Sequence, residues 1–216
     1  MATSDPASTA RLEAARAGDA LAWSHLYHEL APLVLGYLRG QRLPDAEDVA
    51  GEVMLEVVRD LGRFAGDAAG LRSWVLSVAH HRLLDARRRA QRRPVTAAAP
   101  APESHHVATE IGPEESTIAS EGLARLQPAL AALTEDQRTV LLLRVVGDLS
   151  IADVARITGK RPGAVKQLQR RAAASMRRTL DEGARGERIE VVRDPDPVPR
   201  RRPGALVPVD GHPDGG

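Results

Sequence analysis

Apolar residues recur every three or four positions over much of the chain, which is the spacing of one buried face on an α-helix. After Pro162, for example, Val165, Leu168, Ala172 and Met176 recur at these steps. Aromatic residues make up only 2% of the chain, so its cores must be aliphatic. We therefore predict an all-α fold with little sheet. Helices are predicted over residues 11–17, 20–40, 45–64, 71–93, 113–127, 135–146, 151–158 and 162–178.

Several residues mark where these helices begin, end or deviate. Thr134 and Ser150 each precede an apolar-periodic stretch and are followed three positions later by a Gln or an acid, as in a capping box. Gly159 suits the left-handed conformation that a helix exit often needs. Pro32 lies inside a predicted helix and should bend or split it.

The stretch Leu149–Arg178 therefore predicts two helices joined by a tight turn, a helix-turn-helix. The outer face of its second helix is basic and amide-bearing, with no acid between Lys160 and Leu180. Arg and Lys neutralise phosphates, while Arg and Gln read base edges in a major groove. A solvated surface helix would share the charge pattern, but the turn and the caps favour DNA recognition.

The predicted helices fall into two groups with a proline-containing segment between them. Residues 94–112 lack periodicity and contain three prolines, which is typical of a flexible linker. Six prolines after Gly183 predict a disordered tail that buries no core. The predicted division is a flexible lead (1–18), a first helical domain (19–93), a linker (94–112), a second helical domain (113–181) and a disordered tail (182–216).

Charge is distributed unevenly, although the net formal charge is only +1. Residues 45–60 contain six acids and one Arg, whereas residues 82–93 contain six Arg and one Asp. Asp48, Glu52 and Glu56 are four residues apart and should form one acidic row on their helix, with no Lys between them. Such blocks indicate two different partners, one basic and one anionic.

Composition excludes several classes of protein. The chain has no cysteine, so disulfides, thiolate zinc sites and cysteine nucleophiles are excluded. No run approaches the ~20 apolar residues of a membrane span, and the N-terminus lacks a secretory signal pattern. We therefore predict a cytoplasmic protein without membrane insertion. His25 and His28 are spaced to share a metal, but two ligands fall short of a site, so we expect no metal and no cofactor.

The order of the segments resembles the extracytoplasmic-function group of bacterial RNA polymerase sigma factors. The acidic helix DAEDVAGEVMLEVV, the helix LRSWVLSVAHHRLLDARRR and the helix-turn-helix region that begins at LAALTEDQR follow one another as in that family, over about residues 19–181. The resemblance implies a first domain that grips core polymerase and the minus-ten element, and a second that reads the minus-thirty-five element. It further implies promoter-specific initiation, help in melting and no enzymatic activity. The partners it implies are core RNA polymerase and promoter DNA, both duplex and melted, with an anti-sigma factor as a further candidate.

The resemblance also implies roles for particular residues. Those matching the segment that docks on polymerase are Asp45, Glu47, Asp48 and Glu52. Those matching the minus-ten surface and the loop that holds a flipped base are Phe64, Leu71, His81, Arg82, Arg87 and Arg88. Those matching the minus-thirty-five surface are Arg161, Gly163, Lys166, Gln167, Arg170 and Arg171. We interpret Trp74 first as a core residue, with base stacking as the alternative.

Two other functions fit part of the pattern. A stand-alone helix-turn-helix regulator would share the DNA-binding half, but it leaves the acidic row beside an arginine-rich helix without a role. A metal hydrolase that uses the histidines lacks a third ligand near His25 and His28.

Overall fold

The computed structural model describes residues 6–92 and 126–190. These ranges contain helices and no strand, so the predicted all-α class is confirmed. The predicted linker (94–112), most of the predicted helix over 113–127 and the end of the predicted tail lie outside the described residues. The first group of helices comprises α1 (Pro6–Arg16), α2 (Ala20–Gly40), α3 (Ala46–Asp60), a 3-10 turn (Leu61–Arg63) and α4 (Ala68–Arg92). The second comprises α5 (126–131), α6 (Glu135–Val145), α7 (Ile151–Thr158) and α8 (Pro162–Glu190).

The predicted caps are confirmed. The Thr134 side chain accepts the backbone N–H of Gln137, and the Gln137 side chain accepts that of Thr134, which is a complete capping box. Ser150 accepts the backbone N–H of Asp153 at the start of α7. Gly159 ends α7 with φ of +68°, a conformation that an L side chain rarely adopts. Each of these signals acts within one turn, which is why the local sequence reveals it.

Several elements differ from the prediction. Helix α1 begins at Pro6 and buries Leu12 and Ala15, within the segment predicted as a flexible lead, and α3 ends at Asp60 rather than at residue 64. Pro32 does not split α2, because buried residues before and after it hold both halves against the core while the proline itself faces solvent. Helix α4 begins at Ala68 rather than Leu71, because the Asp67 side chain accepts the backbone N–H of Gly70 at 2.8 Å. Helix α8 continues to Glu190, past the predicted domain end at 181. Residues 182–190 include three Glu and two Arg, which favour helix, and the chain reaches no proline before Pro195, so the helix continues through Gly183 and Gly186.

Aliphatic side chains form one continuous core that includes both groups of helices. The described residues up to Leu180 belong to one compact unit. The two groups therefore pack against each other here, α2 against α6 and α4 against α7. Buried members from both groups are Leu30, Val34, Leu76, Leu83, Val140, Leu143, Val154 and Val165.

Close approach of α2 and α6 depends on small residues. A Cβ at Gly40 would lie 2.8 Å from Cδ2 of Leu142, and one at Gly36 would lie 3.8 Å from Cγ1 of Val146. Gly36 and Gly40 are one turn apart on α2, and Leu142 of α6 and Val146, the residue after α6, have the same spacing. One turn of each segment therefore contacts the other. Any side chain at residue 40 would force Leu142 away.

Buried polar side chains also connect the two groups. Gln41 Nε2 donates to Thr139 Oγ1 at 3.0 Å, and these residues are 1% and 4% exposed. Arg87 of α4 donates to the Gln41 carbonyl at 3.1 Å and forms an ion pair with Glu135 of α6. Arg156 of α7 donates to Ser73 Oγ at 2.9 Å. Leaving a buried amide such as Gln41 unpaired costs free energy, so these bonds specify one packing of the groups.

Candidate nucleic-acid and polymerase interfaces

The outer face of α8 follows directly from its apolar pattern. Val165 and Ala172 are fully buried, and Leu168 and Met176 are partly buried against the core. These contacts turn the opposite face to solvent. All six residues predicted for the minus-thirty-five element are exposed: Arg161, Gly163, Lys166, Gln167, Arg170 and Arg171. The helix-turn-helix thus presents one basic, acid-free surface beside its tight turn.

The acidic row on α3 is partly neutralised from α4. Arg82 Nε donates to Glu56 Oε2 at 2.7 Å, and its Nη1 lies 3.7 Å from Glu52 Oε2. Arg89 Nη2 lies 3.6 Å from the same Glu52 oxygen. The sequence showed no Lys between the acids, but it did not reveal that arginines of α4 pack beside them. Glu52 and Arg82, predicted for different partners, therefore share one ion-pair network.

The other predicted polymerase-binding acids lie at the start of α3. Glu47 is exposed and pairs with Arg39 of α2, whose Nη2 is 2.7 Å from Glu47 Oε1. Asp45 and Asp48 are exposed. Among the ion pairs of the described residues, none includes Asp45 or Asp48. Of the four predicted polymerase-binding acids, these two therefore face solvent outside the ion pairs of the described residues.

The arginines predicted for the minus-ten surface already have protein partners. Arg87 bonds to Gln41 and Glu135, and Arg88 pairs with Asp85 on its own helix at 3.0 Å. These pairs are exposed or partly exposed, so water and salt weaken them. Phosphate can therefore compete for the arginines at modest cost.

The other predicted minus-ten residues lie on the loop before α4 (Phe64) and on α4 itself (Leu71 and His81). Phe64 is half-buried and stacks on Trp74, with ring centroids 4.9 Å apart and an interplanar angle of 22°. Trp74 is partly buried and packs against the core, as predicted for a core residue. Leu71 is 4% exposed and belongs to the core, whereas His81 is exposed on α4. Phe64 and His81 are thus accessible from outside, whereas Leu71, also predicted for the minus-ten surface, is buried in the core and does not face solvent.

Sequence reasoning missed two residues that shape this loop. Arg16, at the end of α1, donates to the carbonyls of Phe64 and Gly66. Asp67 caps α4. The Asp-Ala-Ala-Gly order at residue 67 could have indicated the cap. No local pattern connects Arg16 to a loop that lies about fifty residues further along the chain.

His80, beside the predicted minus-ten residue His81, is buried at the packed interior of the first group. Tyr37 Oη and His80 Nδ1 form a hydrogen bond at 2.8 Å. Burial, together with the smaller electrostatic effects of His81, Arg87 and Lys160, lowers the pKa of His80 to about 4. Burial also raises the pKa of the Tyr37 phenol. Both side chains are therefore neutral near pH 7.

This pKa predicts acid sensitivity of the fold. An unfolded His titrates near ~6.5, so below that pH the unfolded state binds a proton that folded His80 does not. The stability that neutral His80 contributes is complete above pH ~7 and is lost as the pH falls toward 4. We expect a loss of about 2 kcal/mol between pH 7.5 and 5, measured by urea unfolding. Replacing His80→Gln should flatten that slope, and replacing exposed His28→Gln should leave it unchanged; equal slopes in all three proteins would contradict the assignment.

Two observations on the described residues bear on the metal-hydrolase alternative and on membrane insertion. Within the described residues, no group of three or more His, Asp and Glu side chains is placed to hold a metal ion. No helix in the same ranges is long and apolar enough to cross a membrane.

Comparisons with known proteins identify the family. The family described as Sigma-70 region 2 matches residues 26–93, and the one described as Sigma-70, region 4 matches residues 123–176. The ECF RNA polymerase sigma factor ShbA of Streptomyces griseus is 35% identical over 76% of this chain and 91% of its own. The ECF RNA polymerase sigma factor BldN of Streptomyces coelicolor is 32% identical, over 85% of this chain and 70% of its own. SigD of Mycobacterium tuberculosis, also an ECF RNA polymerase sigma factor, is 32% identical over 77% of this chain and 79% of its own.

A solved structure supports the fold. CnrH, in complex with the cytosolic domain of CnrY, superposes with a TM-score of 0.57 and covers 82% of this chain and 99% of its own at 20% identity. An acidic helix, an arginine-rich helix and an exposed helix-turn-helix define a promoter-recognition protein that also engages polymerase. The chain belongs to the ECF group of RNA polymerase sigma factors. It directs promoter-specific transcription, so the stand-alone regulator is not favoured.

Proposed function

We propose that the two groups of helices divide the work of promoter recognition. The domain at 19–93 engages core polymerase through Asp45, Glu47, Asp48 and Glu52 and the minus-ten element through α4 and its preceding loop. The domain at 113–181 engages the minus-thirty-five element through α8. The polymerase supplies the chemistry, and no residue of this chain acts as a catalyst. The site of action is the cytoplasm, where polymerase and DNA meet.

The exposed face of α8 between Pro162 and Leu180, which carries no acid, is the observation that carries this proposal. Val165 and Ala172 fix which side of the helix is buried, so Lys166, Gln167 and Arg170 are turned to solvent together. A basic and amide face on the second helix of a helix-turn-helix suits entry into a major groove. Phosphate contacts there would position the domain, and base contacts would select the sequence.

Alanine substitutions on this face should weaken binding to the upstream element. We expect Lys166→Ala and Arg170→Ala each to cost ~1–3 kcal/mol if the side chain reaches a base edge, and less if it contacts phosphate alone. Fluorescence anisotropy with duplexes that carry the native or a scrambled element separates the two cases. Arg178→Ala, exposed further along α8, is the matched control. Equal losses for native and scrambled duplexes would leave Lys166 and Arg170 without a role in sequence selection.

Promoter recognition requires the two groups to separate. A compact unit of about 150–180 residues has a diameter of about 40 Å. Elements centred at minus ten and minus thirty-five are ~25 base pairs apart, which is ~85 Å of duplex at ~3.4 Å per step. The packed arrangement cannot reach both. Docking on polymerase would hold the separated domains at the required spacing and so raise their effective concentration for the two elements.

Run-off transcription with purified core polymerase tests the proposal directly. Promoter-specific transcripts that depend on this chain and on both elements are expected. DNA binding without any promoter-specific transcript would instead support the stand-alone regulator.

A protein inhibitor is a further partner to examine. The similar fold of CnrH was determined with the cytosolic domain of CnrY bound to it. We expect a protein partner of the anti-sigma type to bind this chain as well. A pull-down with candidate membrane-anchored or soluble inhibitors, followed by the run-off assay, would test it.

A further inference from the structure

Arg16 connects the first helix to the loop that carries Phe64. It is the last residue of α1, and one guanidinium nitrogen, Nη2, donates to the backbone carbonyls of Phe64 and Gly66, the latter at 2.5 Å. Its Cζ lies 5.3 Å from the centroid of the Phe64 ring, within cation–π range. The side chain is only 19% exposed, although it carries a charge. This arginine therefore packs under the loop instead of facing solvent.

The loop is constrained at each end as well as by Arg16. Phe64 donates its backbone N–H to the Leu61 carbonyl at 3.1 Å, and its ring stacks on Trp74. Asp67 then caps α4. Residues 64 and 66 are half-buried while residues 65 and 67 are exposed, so alternate residues face the protein and the solvent. Because the carbonyls of Phe64 and Gly66 both bond to one guanidinium, the backbone between Phe64 and Asp67 has little conformational freedom.

Helix α1 precedes the region that the family comparison matches, which begins at residue 26. We propose that Arg16 is a positioning residue for the minus-ten site: it holds the Phe64–Asp67 loop in the shape that receives an unpaired base. This inference rests on the proposed role of that loop in base capture. Arg16 itself contacts protein carbonyls rather than DNA.

The physical basis is preorganisation. Extruding a base from duplex DNA costs a few kcal/mol, and contacts in the pocket must offset that cost. If the loop also had to become ordered at that moment, its loss of conformational entropy would offset part of the free energy gained from those contacts. The planar guanidinium bonds two carbonyls and stacks on an aromatic face at once, whereas an ammonium is a point charge without a stacking plane. Lys at residue 16 should therefore substitute only in part.

The test measures base discrimination by holoenzyme assembled from the full chain and core polymerase. Open-complex formation is compared on promoters that each carry one substitution in the minus-ten or the minus-thirty-five element. We expect wild type to show a penalty of tenfold or more at the captured base. Arg16→Ala should reduce that penalty to threefold or less, and Arg16→Lys should show a penalty between those of wild type and Arg16→Ala. Penalties at minus thirty-five and the affinity for core polymerase should change by less than twofold, and Arg11→Ala on the same helix should match wild type.

Other results would overturn the inference in distinguishable ways. Unchanged discrimination in Arg16→Ala would remove Arg16 from base capture while leaving the proposed function intact. Parallel losses in core affinity and in the discrimination of both elements would show a general role in folding. If Arg16→Ala does not fold, Arg16→Lys decides, since it keeps the charge and the aliphatic stem; wild-type discrimination in that variant would contradict the proposal. Absence of any element-dependent transcript in wild type would refute the proposed function itself.

Discussion

A disulfide between residues 40 and 142 is expected to abolish promoter-directed transcription, and its reduction is expected to restore it. A Cβ at Gly40 lies 3.5 Å from Cγ of Leu142, one bond from the Leu142 Cβ. The Cβ–Cβ separation of a Gly40→Cys, Leu142→Cys pair therefore lies between ~3.5 and ~5 Å, a range that overlaps the ~3.5–4.5 Å of natural disulfides. The chain has no cysteine of its own, so no other disulfide can form within it.

The physical reason for the expected loss is the reach of the molecule. Locking α2 to α6 keeps the two groups within one compact unit, which is about half as long as the promoter segment between the two elements. We expect promoter-specific transcripts to fall by about two orders of magnitude in the oxidised protein, because the energetic advantage of two tethered sites is lost. Run-off transcription before and after addition of reductant measures the effect.

Two controls accompany the disulfide variant. Each single cysteine variant, treated with the same oxidant, reports any effect of the substitutions alone, including the cavity left at Leu142. Core polymerase affinity of the oxidised double variant shows whether the first group still docks. Full activity of the oxidised protein would contradict the requirement for separation. Failure of the disulfide to form in the free protein would contradict the packed arrangement in solution.

Arg87 relates the packed arrangement to DNA binding. Its guanidinium bonds to the Gln41 carbonyl and pairs with Glu135 of α6, yet the family resemblance assigns it to the promoter-facing helix. Separation of the groups would remove Glu135 and leave Arg87 available to a phosphate. The same opening would leave Gln41 and Thr139 without each other, and water would then satisfy both. Apolar contacts such as Gly40 against Leu142 accompany these polar ones, so separation would also expose apolar surface, at a cost that docking on polymerase and DNA must offset.

The local structure of this chain was predictable because its signals act over a few residues. The capping box at Thr134, the cap at Ser150 and the left-handed exit at Gly159 all concern backbone groups within one turn. The buried face of α8 follows from a period of three to four residues. The opposite face, which carries the residues proposed to contact DNA, could therefore be assigned from the sequence.

Contacts between distant segments could not be predicted in the same way. Gln41 and Thr139 are 98 residues apart, and neither belongs to a motif. Arg82 was predicted for the minus-ten surface, but packing of α4 on α3 places its long side chain beside Glu56. Long arginine side chains pair with acids of whichever helix packs nearby. Spacing along the sequence does not indicate which helix that will be. Arg16 is a third case, because its partners are backbone carbonyls that every residue possesses.

Reversing the charge of Asp48 is the second prediction with a large expected effect. Asp48 is exposed in the first turn of α3, and the ion pairs of the described residues do not include it. Asp48→Lys should therefore leave internal contacts unchanged. Its cost to the helix is the lost interaction with the positive end of the helix dipole, about 0.3–1 kcal/mol. That is too little to unfold a domain with a continuous core.

The effect on polymerase binding should be much larger. If the start of α3 docks on a basic surface of core polymerase, Asp48→Lys places like charges against each other, which costs several kcal/mol. We expect affinity for core polymerase to fall by at least 100-fold in an anisotropy titration, with an unchanged thermal melt. Glu52→Lys is a less clean test, because Glu52 lies near Arg82 and Arg89 and its loss would disturb the packing of α4. Glu29→Lys, an exposed acid on α2, supplies the same change in net charge away from the row. Equal affinity of Asp48→Lys and wild type would refute docking through this end of α3, and an equal loss in Glu29→Lys would assign the effect to net charge alone.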